Sequence, residues 1–258
     1  MNQSIINYTG SKYNETKYLK DFEFNKYKTI VEPFGGSFGF IRYLYYKLDL
    51  KNLNFIVYDR DKELIEFFNY IKKKNNNQRY KFLVKYNTIV DILFNKFKVG
   101  KRKQINRKKS KEFIENSKYN KWIKYLIQEN ILNTVFSIAH KKEKIKEKDL
   151  LIFDNITFIN KMIQNVDFKK YNKKTTLFYF DPPYLIESKF YKNDSNNNKE
   201  LFTTLIKFFK NGYNSLFVHS KNGIFDYIFS KFQYTTYDKT YQLSKNKAVC
   251  AVYYNIRL

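Results

Sequence analysis

The residues that could do chemistry are few and sit at the ends of apolar runs. The most suggestive run is Leu177-Phe178-Tyr179-Phe180, which meets one acid, two prolines and a tyrosine: Asp181-Pro182-Pro183-Tyr184. Proline fixes its own φ and pushes the preceding residue toward extended geometry, so Asp181 and Pro182 are held nearly rigid. A carboxylate and the Pro182 carbonyl beside the Tyr184 ring suit a planar ring bearing an exocyclic NH2. The two acceptors take its hydrogens and the tyrosine stacks on its face. A strand ending in a Pro-Pro turn with a solvated aspartate is the plainer reading of the same residues.

Three further positions could join it. Lys12 follows an apolar entry and a Thr9-Gly10 turn, and could hold a carboxylate as a point charge. The stretch 29–46 reads as strand, glycine turn, helix, with Glu32, Pro33 and Phe34 leading into Gly35 and Gly36. Glycines allow close backbone approach to a ligand, and a helix start offers free N–H groups. The spacing is neither Gly-x-Gly-x-x-Gly nor a phosphate loop with a following Lys-Ser/Thr. Asp59 ends a second apolar strand about twenty residues beyond that turn, where α/β folds hold a ribose; a helix N-cap is the structural alternative.

The elements that must position these residues follow from periodicity. Strands are expected at 29–34, 54–59, 177–180 and 215–220, and a closing antiparallel pair at 232–237 and 248–255. Helices are expected over 61–74, 112–128, 201–209 and 223–230, and a mobile loop over 189–198. Acids at the carboxyl ends of parallel strands lie where open α/β sheets bind ligands.

Composition bounds the class. The chain has 258 residues, 43% hydrophobic, and 49 Lys+Arg against 24 Asp+Glu, for a net charge of +25. That excess predicts an anionic partner, most simply nucleic acid, with an anionic membrane surface as the rival. No apolar run is long enough to span a bilayer and no signal peptide is evident, so a cytoplasmic location is expected. Cys250 is the single cysteine, and the two histidines are His140 and His219. Disulfides, thiolate zinc and histidine clusters are therefore not expected, and no metal is assigned. His219, at a strand end, reads as structural. The region 72–164 differs from its flanks. It is aromatic and mostly helical in pattern, and 101–111 carries seven Lys and Arg with no acid. Lys101, Arg102, Lys103, Arg107, Lys108 and Lys109 are candidates for phosphate contacts from a basic loop.

Taken together, Asn7-Tyr8-Thr9-Gly10-Ser11-Lys12, Val31-Glu32-Pro33-Phe34-Gly35-Gly36-Ser37 and Tyr179-Phe180-Asp181-Pro182-Pro183-Tyr184-Leu185 resemble the DNA adenine-N6 methyltransferases of the Dam type, in particular their short T-even bacteriophage form. The resemblance covers about 1–70 and 165–258, and is weak between them. It implies an α/β, Rossmann-like S-adenosylmethionine-dependent methyltransferase sheet formed by 1–71 and 165–258. It also implies a mostly helical target-recognition insertion at 72–164. Tyr8 and Lys12 would contact the methionine end of S-adenosylmethionine. Glu32, Pro33, Phe34, Gly35 and Gly36 would line it, Asp59 would hold the ribose, and Phe168 would pack on its adenine. Asp181, Pro182 and Tyr184 would act on a flipped-out adenine in double-stranded DNA, leaving S-adenosylhomocysteine. No protein partner is required by this reading.

Two departures stand out. Phe38 occupies the family's last glycine of Phe-x-Gly-x-Gly, and the 129–136 stretch is at best a remnant of the family's GATC-reading segment. Methylation of RNA adenine or of cytosine N4 is the alternative within enzymes. A nucleic-acid-binding partner subunit with a decayed donor site is the alternative outside them.

Overall fold

A computed structural model describes residues 5–6, 12–99, 105–133, 145–182, 195–221, 223–240 and 247–255. The chain divides into two compact units. One comprises residues 1–11 and 66–154, the other residues 12–65 and 155–258. The division between residues 65 and 66 falls within a single helix, Lys62–Lys72.

The second unit is α/β. Its strands are β1 (Thr29–Glu32), β2 (Asn54–Asp59), β3 (Ile156–Asn160), β4 (Thr176–Phe180), β5 (Asn214–Ser220), β6 (Gln233–Thr240) and β7 (Lys247–Asn255). They form a seven-stranded sheet in the order β3-β2-β1-β4-β5-β7-β6. β1 to β5 pair in parallel, and β7 runs antiparallel to both β5 and β6. Central β4 is a continuous apolar run because both faces are covered; all five of its residues are buried.

Helix α1 (Gly39–Lys47) links β1 to β2, and α2 (Lys62–Lys72) follows β2. In α6 (Ser195–Lys210), Leu201, Leu205, Phe208 and Phe209 recur at helical spacing, and all four enter the core around Phe178, Phe180 and Phe217. Phe208 meets Phe178 and Phe180 edge-on at centroid distances of 4.6 and 4.7 Å. Removing a core ring of this kind costs about 3–5 kcal/mol. Helix α7 (Gly223–Ile228) precedes the closing hairpin.

The other unit is helical. It contains α3 (Asn76–Lys96), α4 (Arg107–Glu115) and α5 (Lys121–Ile127), the last continued by a π-helical turn at Gln128–Leu132. Helix α3 starts with a capping box, the Asn75 side chain accepting from Gln78 N and the Gln78 side chain from Asn75 N. Its buried face carries Phe82, Leu83, Tyr86, Ile89, Val90 and Leu93.

Three expectations need correction. The stretch 156–160 was read as part of the helical region 72–164, yet it pairs in register with β2 (Phe55 with Ile156, Asp59 with Asn160) and belongs to the sheet. Residues 107–111 were read as part of a basic loop. They form the start of α4, because the Asn106 side chain accepts from Lys109 N at 3.1 Å and caps it. Ser195–Asn198 fall in α6 rather than in the expected loop, whose remainder lies outside the described residues. Among the described residues, no helix is long and apolar enough to cross a membrane.

Candidate functional site

Strand order reverses between β1 and β4: β2 and β3 lie on one side of this pair and β5 on the other. Such a switch point opens a crevice at the carboxyl ends of the strands. Val31 pairs with Phe178, which sets Glu32 at the end of β1 near Asp181 at the end of β4. Asp59 ends β2 beside them.

The central contact joins Lys12 Nζ to Asp181 Oδ2 at 2.8 Å, with the side chains only 7% and 19% exposed. Burial alone would lower the lysine's pKa. The Asp181 charge, with a further contribution from Glu15, outweighs burial and holds Lys12 well above its usual value. Lys12 is therefore charged at neutral pH, and its contact holds the Asp181 carboxyl in place as an acceptor.

Glu32 is buried behind them at 3% exposure. Its Oε2 accepts from Ile41 N in the first turn of α1 at 3.3 Å. Burial pushes its pKa well up. The Ile41 and Phe40 N–H groups and the Lys12 charge oppose that rise, and Asp181 adds to it. Glu32, Lys12 and Asp181 thus form one electrostatically coupled cluster.

The turn between β1 and α1 is held by backbone. Gly35 N donates to Tyr58 O at 2.9 Å, and a Cβ at Gly35 would lie 2.2 Å from Val57 Cγ1. Only glycine lets the turn lie this close to β2. Gly36 has φ 45° and donates to Asp59 Oδ2 at 2.8 Å, while Asp61 N donates to Asp59 Oδ1, also at 2.8 Å. Burial nevertheless raises the Asp59 pKa, partly offset by those two N–H groups. The Asp59 carbonyl is itself held by Asn160 Nδ2 and Lys161 N, each at 3.0 Å. β3 therefore helps to aim Asp59, a contribution the sequence did not reveal.

Phe38 adopts φ 42° and ψ 48°, the left-handed conformation that a glycine takes at no cost. Its ring is 1% exposed and meets Phe158 of β3 edge-on at 5.5 Å. The glycine-like backbone is thus kept, with ring burial offsetting the local strain. Ser37, 2% exposed, places its Oγ in the turn with no hydrogen-bond partner among the described residues. Nothing but the Gly-Gly-Ser sequence would have marked it. Pro33 is buried, and Phe34 is half-buried with its ring 6.5 Å from Phe180. Phe168 is half-buried, edge-on to Phe208 at 4.8 Å and Phe178 at 5.7 Å.

His219 at the end of β5 is buried, with Nδ1 3.0 Å from Ser220 O. Burial lowers its pKa, opposed by Ser220 and reinforced by the Lys12 charge. It is a neutral neighbour of the cluster at pH 7.

The structure thus gathers Lys12, Glu32 and Asp181 into one group and Gly35, Gly36 and Asp59 into a second, at the ends of adjacent strands. Tyr8, Pro183, Tyr184, Lys101, Arg102, Lys103 and His140 lie outside the described residues, as do 134–136. Arg107, Lys108 and Lys109 form the first turn of α4 in the helical unit, Lys108 and Lys109 exposed and Arg107 half-buried. Among the described residues, no group of three or more His, Cys, Asp or Glu side chains is placed to hold a metal ion. Compared with known protein families and with curated proteins, the chain matches none.

Proposed function

We propose that this chain transfers a methyl group from S-adenosylmethionine to N6 of adenine in double-stranded DNA, the activity its resemblance to Dam-type methyltransferases implies. The observation that carries the reading is the buried Lys12–Asp181 pair, 2.8 Å apart, at a strand-order switch point. A carboxyl group aimed by a buried cation is a rigid hydrogen-bond acceptor, suited to an amino group.

The residues fit the donor this reading requires. Lys12 suits a carboxylate, and the orphaned Ser37 Oγ and the close glycine turn suit a ligand lying along the end of β1. Asp59 has one N–H on each carboxylate oxygen, which leaves lone pairs for ribose hydroxyls. Phe38 does not argue against donor binding, because it keeps a glycine's backbone conformation and turns its ring to Phe158. When bound, S-adenosylmethionine would supply an electrophilic methyl group on a sulfonium sulfur. Glu32, Pro33, Phe34, Gly35 and Gly36 would line it, with Tyr8 and Phe168 at its two ends.

The protein's part is orientation. Asp181 Oδ and the Pro182 carbonyl accept the two N6 hydrogens, Tyr184 stacks on the extruded ring, and the nitrogen lone pair is thereby aimed for in-line transfer. Target recognition falls to the helical unit, whose basic turn would engage phosphates.

The test is product analysis after the purified chain has met methyl-labelled S-adenosylmethionine and unmethylated duplex DNA. N6-methyladenine is the expected product. Asp181→Ala should lower turnover at least ~100-fold while calorimetry still registers the donor. Undiminished methylation in that variant, or N4-methylcytosine as the product, would refute the assignment. Absence of donor binding in the wild-type chain would favour a nucleic-acid-binding partner instead.

A further inference from the structure

A concavity in the helical unit takes no part in the methyl transfer above, although Lys109 in its lining belongs to the basic turn. It is an open groove of about 650 Å³ lined by Phe97, Phe113, Tyr119, Lys109 and Lys118, with Glu112 among them. Its construction is local. Helix α3 ends at Lys96, which leaves Phe97 at its C-cap. Lys109 and Phe113 stand four residues apart on α4, hence on one face. The link to α5 brings in Lys118 and Tyr119. Phe113 meets Phe97 at 5.6 Å and Tyr119 at 6.4 Å, and all three rings are half-buried. Lys96 Nζ lies 4.7 Å above the Phe113 ring.

We propose that this groove is a base-stacking site for single-stranded nucleic acid, holding an unpaired base against the aromatic wall and its phosphates against Lys109 and Lys118. An aromatic face beside lysines is the pairing that captures single strands. Charge selects the partner: residues 96–121 hold eleven Lys and Arg against two Glu. Arg107, Lys108 and Lys109 occupy the first turn of α4 with no acid among them, against the helix dipole. A nearby anion relieves that repulsion. Duplex DNA keeps its bases stacked inward and would leave the rings unused, and an acidic peptide would satisfy only the lysines.

The proposal rests on the nucleic-acid reading but on no residue of the sheet unit, so the two can fail separately. The test uses the full chain, without methyl donor, and fluorescence anisotropy. The probes are a labelled thymidine oligonucleotide of about 12 nucleotides, an equally charged abasic strand and a blunt duplex of the same length. The oligonucleotide should bind on the order of tenfold tighter than the abasic strand. Tyr119→Leu, which keeps the apolar packing, should abolish that difference, and a 2-aminopurine base in the strand should be quenched by wild type and not by this variant. Lys118 is exposed, so Lys118→Gln should fold; it should weaken both strands alike and lower the salt slope by about 1. Equal binding of the abasic strand, a loss of duplex binding in Tyr119→Leu as large as the loss of single-strand binding, displacement of the oligonucleotide by polyglutamate at equal charge, or an unchanged slope in Lys118→Gln would each overturn the proposal. Asp181→Ala should leave this binding intact. Single-strand binding without methyl transfer in wild type would remove the enzymatic reading and keep this one.

Discussion

The two units of this chain bury polar groups for opposite ends. In the sheet unit, Lys12, Glu32, Asp59 and Asp181 cluster at strand ends, and burial or a neighbouring charge shifts the protonation of Lys12, Glu32 and Asp59. In the helical unit, buried Arg79 is consumed by structure. Its Nε donates to Ile71 O at 3.1 Å, its Nη2 to Lys72 O at 3.0 Å, and its Nη1 and Nη2 reach the Asp154 carboxylate. Buried Asn130 likewise donates through Nδ2 to Ile5 O at 2.9 Å and Tyr86 OH at 3.1 Å. Polar burial that satisfies backbone carbonyls holds a fold together. Polar burial that places like and unlike charges at a sheet edge leaves chemistry available.

The sharpest way to break this contrast is Arg79→Leu. Asp154 is 56% exposed, so the ion pair itself adds little; the loss comes from stranded carbonyls. Each buried carbonyl that loses its donor should cost about 1–3 kcal/mol, read by urea unfolding. Donor affinity in the surviving folded fraction should not change. A loss under 1 kcal/mol, or an altered donor affinity, would mean that Arg79 does more or less than hold the helices, and the contrast would fail. A smaller effect is expected at Gly35→Ala. The new Cβ would press on Val57 at 2.2 Å, within the β-branched side chain of a buried strand. Overpacking of this kind costs about 1–3 kcal/mol. Because Gly36 N and Asp59 are tied to the same turn, donor affinity should fall along with stability, unlike in Arg79→Leu.

What the sequence disclosed and what it hid follow the same division. β1, β2, β4 and β5 are apolar runs ended by a polar residue, so both the strands and the polar strand ends could be read directly. Such runs show no period, and their short length, flanking Gly and Pro, and β-prone residues mark them as strands. β3 escaped because it is an edge strand: its burial alternates, with Thr157 and Asn160 exposed, and it follows a long 3-10 stretch at Glu147–Asn155. Without β3 the anchoring of the Asp59 carbonyl could not be foreseen. The start of α4 escaped because its run of cations masks the pattern; only Ser110 and Ile114 of the helix are buried, and the telling signal was the cap at Asn106. The left-handed backbone of Phe38 is a tertiary outcome, since the ring's burial against Phe158 is fixed by that same unseen strand.

The subtlest expectation concerns protonation. Glu32 in the folded chain holds its proton well above the carboxyl's ordinary value of 4.5, because burial disfavours the anion. The folded state then binds more protons than the unfolded one from about pH 4.5 up to the raised value. Stability must fall as pH rises through that window, by at most about 1.4 kcal/mol per pH unit for one proton. Asp59 is shifted the same way and adds to the fall. His219 acts oppositely: its lowered pKa means that the folded chain binds fewer protons just below 6.5, so stability rises with pH there. Glu32→Gln keeps the neutral shape and removes one proton-linked site. Unfolding midpoints measured across pH should show a shallower decline in this variant above the carboxylate range, with the His219 rise unaltered. If the wild-type and variant curves run parallel, Glu32 is not the proton-holding member of the sheet-edge cluster, and the charge left beside Lys12 and Asp181 would have to be recounted.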